Sequence, residues 1–120
     1  MPVYEISNPL SSNLSLRTGP NVIFGRIASL APGLKGKGDF IMTYQSPLVV
    51  EEIQRAQAGD QWMHVTELNG APADGWMAIK HLGRAYLAYT QSTDADLTVS
   101  FGVDLEGYQP IALTGILKPK

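Results

Sequence analysis

Two histidines, His64 and His81, share the chain with Asp60, Glu67 and Asp74 at nearby positions. A histidine beside a carboxylate is the usual material of acid-base chemistry, because imidazole titrates near neutral pH and a carboxylate can orient it. Zinc, however, needs three or four convergent donors, and no HxxxH, HxxE or comparable spacing occurs here. These are therefore read as partly exposed histidines, with no metal and no catalytic role. No Gly-x-Ser-x-Gly elbow is present for a serine nucleophile. Gly36-Lys37-Gly38 lacks the Gly-x-x-x-x-Gly-Lys-Ser/Thr pattern of a phosphate cradle and is read as a surface loop. With no cysteine, thiolate chemistry and disulfides are excluded within the chain.

Aromatic side chains remain as the candidate binding groups: Tyr44, Trp62, Trp76, Tyr86 and Tyr89. Rings offer a large contact area at low entropic cost. Trp76 follows Gly75 and is read as core, whereas Trp62 and Tyr44 fit either a groove or a core. Tyr86 and Tyr89 fall on opposite faces of one strand, so at most one of them lines a groove. Arg17 fits a structural role under a corner or a ligand contact, the structural role being preferred. Asn13-Leu14-Ser15 matches a glycosylation sequon and is read as coincidental.

What positions these groups is a succession of short strands. The 120 residues carry 12 glycines and 8 prolines, with 44% apolar and 17% charged residues, the composition of a turn-rich globular chain. Leu14 and Leu16 alternate with Ser15 and Arg17, and Gly19-Pro20 then ends the strand, because proline has no N–H to give a ladder. Arg26-Ile27-Ala28-Ser29-Leu30 repeats the alternation, and APGLKGKGD follows as a loop. Phe40–Tyr44, Leu48–Ile53, Trp62–Leu68, Trp76–Ile79 and Arg84–Tyr89 read as further strands, with Asn69-Gly70 a strong hairpin signal.

Residues 90–96, TQSTDAD, read as a polar linker. Beyond it Leu97, Val99, Phe101, Val103 and Leu105 alternate with polar or small residues, and Ile111–Leu117 returns as the second strand of a hairpin. Two strands alone are marginal in water, so this apolar face needs a cover, either the body of the chain or a second subunit. The five residues are accordingly candidate oligomerisation residues.

The formal net charge is −2 and the bases are scattered, which argues against a nucleic-acid partner. No apolar run approaches the ~18 residues of a membrane span and no basic, apolar leader opens the chain, so a soluble chain without membrane insertion is expected.

Taken in order, Leu14-Ser15-Leu16-Arg17-Thr18-Gly19-Pro20, Gly59-Asp60-Gln61-Trp62-Met63-His64-Val65, Asn69-Gly70, Gly75-Trp76 and a closing Leu82 resemble the bacterial SH3-like (SH3b) family over about residues 3–90. The resemblance implies an all-β fold, a small SH3-like barrel over residues 1–90 with a long first-loop insertion at 31–47. Residues 91–120 then form a linker and an additional C-terminal β-hairpin arm, outside the family pattern. It also implies a non-catalytic module that recognises a peptide or protein partner, including cell-wall-type peptides, without a cofactor, in the cell envelope or outside the cell. Tyr44, Trp62, His64 and Tyr86 are the expected ligand-binding residues. The Ala-Leu-Tyr-Asp-Tyr signature of proline-binding SH3 domains is missing. The alternative reading is an assembly protein that oligomerises through the hairpin.

Overall fold

The computed structural model describes residues 2–92, 97–103 and 111–117. These form twelve strands and, among the described residues, no helix: β1 (Val3–Ser7), β2 (Leu14–Arg17), β3 (Arg26–Leu30), β4 (Lys35–Thr43), β5 (Leu48–Val50), β6 (Ile53–Ala56), β7 (Gln61–Leu68), β8 (Ala71–His81), β9 (Arg84–Ala85), β10 (Ala88–Ser92), β11 (Leu97–Val103) and β12 (Ile111–Leu117). The fold is all-β, and every strand pairing is antiparallel.

The main sheet runs β10-β1-β4-β7-β8-β2-β3, with β9 added beside β8. The path is open, with β10 and β3 at its ends. β5 pairs with β6 and β11 with β12 in two further two-stranded sheets. At the narrowest join, β2 meets β8 through the single register pair Arg17 and Trp76.

Hydrophobic periodicity explains the core. Leu14 and Leu16 of β2 are buried while Ser15 and Arg17, which alternate with them, are half-buried, and Met77 and Ile79 alternate in the same way along β8. Ile6, Leu30, Met63, Val65 and Leu87 complete the cluster. Each such side chain stabilises the fold by roughly 1.5–3 kcal/mol on burial.

The two-residue turns set the registers. Asn69 and Gly70 both adopt left-handed backbone, as the type I′ turn between β7 and β8 requires. Leu82 and Gly83 make the same turn between β8 and β9, and Glu51 and Glu52 make it between β5 and β6. The last case corrects the reading of Leu48–Ile53 as one strand: the chain reverses in its middle, without any residue that ordinarily marks such a turn.

The loop reading of Lys35-Gly36-Lys37-Gly38-Asp39 is also corrected. These residues belong to β4, hydrogen-bonded between β1 and β7. Gly36 and Gly38 are there because the neighbours come too close for a side chain. A Cβ at Gly38 would sit 2.5 Å from Met63 Sδ and 2.7 Å from His64 O, and one at Gly36 would strike the Glu67 carbonyl. The segment 31–47 is thus largely a central strand rather than a loop insertion.

The run Arg84–Tyr89 divides as well. β9 stops at Ala85, Tyr86 and Leu87 donate their N–H groups to Ile79 O and Ala78 O, and the chain then leaves to pair with β1 as β10. Thr90, Gln91 and Ser92 lie in that strand, so they are sheet and not linker.

Buried polar side chains fasten the connections. Asn8 Nδ2 donates to Ser12 O and Leu30 O, both at 2.8 Å, and Asn8 Oδ1 accepts from Leu10 N. Asp60 accepts from the N–H groups of Gln57, Leu82 and Gly83, which fixes the start of β7 against the β8–β9 turn.

Candidate functional site: a cleft beside the Gly-Pro corner

The corner after β2 is built by three side chains. Arg17 Nη1 donates to Phe24 O at 2.9 Å and Val22 O at 3.3 Å, holding the 18–25 loop closed. Asn21, fully buried, donates from Nδ2 to Arg55 O and to the Tyr44 hydroxyl, both at 3.1 Å, and accepts Ile23 N on Oδ1. The Tyr44 hydroxyl in turn donates to Pro20 O at 2.7 Å. Here Arg17 serves the corner through hydrogen bonds to neutral carbonyls, not as an ion-pair partner, and uses one nitrogen.

Against this corner lies a cleft of about 190 Å³ whose lining includes Leu10, Ser15, Arg17, Trp62, His81 and Tyr86. The volume suits one anchoring group better than a whole drug-sized molecule. Trp62 is only 1% exposed and lines the cleft without standing in it. Its ring meets His81 edge-on, with centroids 5.8 Å apart. Neither Trp62 Nε1 nor His81 Nδ1 has a hydrogen-bond partner among the described residues, although both are buried. Burial lowers the His81 pKa from its ordinary value, opposed by the charge of Asp60 and aided by that of Arg17. Arg17 is lowered too, by burial and by the neighbouring positive charge of Arg26.

His64 belongs to a second cluster. Its Nδ1 lies 2.6 Å from Asp39 Oδ1 and its Nε2 lies 2.8 Å from Asp74 Oδ1. Burial lowers its pKa, but the hydrogen bonds and charges of Asp39 and Asp74 outweigh this and the net shift is upward. Both nitrogens donating to carboxylates describes imidazolium. Because the two nitrogens point to opposite ends of the ring, the two carboxylates cannot converge with it on one ion. Among the described residues there is no group of three or more His, Cys, Asp or Glu that could hold a metal. Trp76 packs 5.1 Å from His64 and edge-on to Phe40 at 6.3 Å. Trp76 is half-buried beside this open surface rather than a member of the core cluster.

The four residues expected to bind ligand are therefore not one group. Trp62 and Tyr86 share the cleft, Tyr44 is spent on the corner behind it, and His64 sits with Asp39, Phe40 and Trp76. Missed from the sequence were His81 as Trp62's neighbour and Asp39 as His64's partner, the latter 25 residues away. The Leu82-Gly83 turn was the one signal that could have found His81, since it folds β8 back where the cleft opens. Of the candidate oligomerisation residues, Leu97, Val99, Phe101 and Val103 fall in β11, in register with Leu117, Gly115, Leu113 and Ile111 of β12. Leu105 lies outside the described residues, as do positions 93–96 of the linker.

No protein-family model, no curated protein and no solved structure matches this chain. No helix among the described residues is long and apolar enough to cross a membrane.

Proposed function

We propose that the chain is a non-catalytic binding module with an SH3-like body, gripping a peptide or cell-wall-type ligand in the cleft between the Gly-Pro corner and Tyr86. The observation that carries this reading is the preformed cleft itself, with Arg17, Trp62 and Tyr86 in its lining. Rigid strands hold its floor, and the corner is fastened by Tyr44 and Asn21. A site held ready in this way loses little entropy when it is filled. The ordered set of Leu14–Pro20, Gly59–Val65, Asn69-Gly70 and Gly75-Trp76 supports the SH3-like assignment, and the cell-wall ligand follows from that likeness.

The test is a ¹⁵N-¹H titration of the full chain with soluble cell-wall peptides and with unrelated short peptides. The two tryptophans give two indole N–H signals. Movement of the Trp62 signal, reduced by Tyr86→Ala, supports the proposal. Saturable binding that moves the Trp76 signal alone would transfer the function to the His64 surface.

A second reading, assembly through the hairpin, is favoured by the isolation of β11 and β12 in a sheet of their own. Light scattering of the full chain over a range of concentrations, beside the variant Phe101→Asp, tests it. A dimer that dissociates in the variant supports assembly, and a monomer throughout removes that reading.

A further inference from the structure

Three features of the cleft point the same way. Arg17 brings a positive charge into its lining, yet the guanidinium spends only Nη1, on two neutral carbonyls, and has no carboxylate partner among the described residues. The half-buried guanidinium therefore keeps unused donors that an anion could take. Directly across the β2–β3 ladder stands Arg26, in register with Arg17. Like charges at opposed strand positions repel, and among the described residues neither cation has a carboxylate in an ion pair to relieve this. Finally, Trp62 lines the same cleft, and its buried indole N–H has no acceptor among the described residues. Asp60, whose charge acts on His81 in this lining, is buried and already accepts from three backbone N–H groups, so it does not serve as the missing partner.

We infer that the cleft takes a peptide carboxylate, received by the free side of the Arg17 guanidinium with Arg26 adding to the attraction. This rests on the reading of the cleft as a peptide site and names the group that anchors the ligand. A guanidinium presents a planar fork of donors that fits the two oxygens of a carboxylate. The small volume of the cleft admits such a terminal group with its adjoining residue, while the remainder of the peptide lies outside against Tyr86 and Leu10. A carboxylate can come from a chain end or from an acidic side chain, and the two differ in whether the peptide continues past the anchoring residue.

The full chain is titrated with four probes while the indole signals are followed: acetyl-trialanine with a free carboxylate, its amide, acetyl-Ala-Glu-Ala-amide and acetyl-Ala-Gln-Ala-amide. Binding of the free acid at least tenfold tighter than its amide, with Trp62 shifted, supports a chain-end carboxylate. The same preference for the Glu peptide over the Gln peptide supports a side-chain carboxylate. Arg26→Gln, at an exposed position that makes none of the loop bonds of Arg17, weakens the favoured acid several-fold and leaves its amide unchanged. If acids and amides bind equally at Trp62, the carboxylate inference is overturned while the peptide site stands. If none of the four moves Trp62, but cell-wall peptides do so without salt dependence, the inference again fails. If nothing tested moves Trp62, the peptide site falls with it.

Discussion

The hydroxyl of Tyr44 lies 2.7 Å from the carbonyl of Pro20, joining residues 24 apart in the chain. The bond ties the end of β4 to the corner after β2, and Asn21 doubles it by donating to the same hydroxyl. The corner is thus held from outside itself. The wall of the cleft inherits its shape from a residue that does not line it.

Tyr44→Phe removes this hydroxyl and leaves Pro20 O and one donor of Asn21 without a partner. A loss of about 1–2 kcal/mol is expected, since a net hydrogen bond is worth roughly 1 kcal/mol and an abandoned buried group adds to the cost. Urea denaturation measures it as a lower midpoint at an unchanged slope. An unaltered midpoint would show that the corner closes without Tyr44.

The two histidines titrate in opposite senses. On raising the pH, His81 gives up its proton below the ordinary value of 6.5 and His64 above it. His64, with its folded pKa raised, contributes stability that is complete below 6.5 and is lost as the pH climbs through the folded value. His81, with its folded pKa lowered, destabilises the fold as the pH falls below 6.5, because the unfolded chain takes the proton first. Imidazole proton signals followed against pH separate the two, and Asp39→Asn moves the His64 midpoint down. A His64 midpoint at or below that of His81 contradicts the bonding described.

Glu51 and Glu52 hold left-handed backbone at φ of 51° and 64° without the freedom of glycine. The conformation costs an ordinary residue roughly 1–2 kcal/mol. Glu52→Gly is therefore expected to stabilise the protein by about 1 kcal/mol, glycine's greater freedom in the unfolded chain taking back part of the gain. Thermal unfolding reads the change as a higher midpoint, and a lower one would mean that the glutamate side chain contributes to the turn.

Gly36→Ala is expected to destabilise by about 2–3 kcal/mol, because the new methyl meets the Glu67 carbonyl of the adjacent strand and crowds Ile6. Gly25→Ala is the control, with nothing within 4 Å of the added carbon, and should change stability by less than ~0.5 kcal/mol. Equal effects at the two positions would show that β1, β4 and β7 can separate to admit a side chain.

The sequence made legible whatever was local. Leu14 and Leu16 announced a half-buried strand, and Asn69-Gly70 announced its hairpin, because alternation and left-handed turn residues are read within a few positions. The glycines of β4 misled for a physical reason: the same lack of a side chain that loosens a loop also permits three strands to close up, and only the neighbours decide which. Glu51-Glu52 was hidden because tertiary structure imposes a turn there that the residues themselves do not favour. At Trp62 a register shift in the β7–β8 ladder breaks simple alternation, and Trp62 and Met63 are buried in succession. The pairing of His64 with Asp39 and the sharing of one cleft by Arg17 and Trp62 depend on strand order, which no short window contains.

The lacing of β1 has a consequence for the chain as it is being made. Val3–Ser7 is synthesised before the other strands of its sheet, but it is flanked by Lys35–Thr43 on one side and by Ala88–Ser92 on the other. Until Ser92 has emerged to face Val3, the other strands of the main sheet can pair, but β1 remains its bare edge. The earliest of these strands is the last in the main sheet to be enclosed, which makes the nascent chain, rather than the finished protein, the form most in need of protection from pairing with a neighbour.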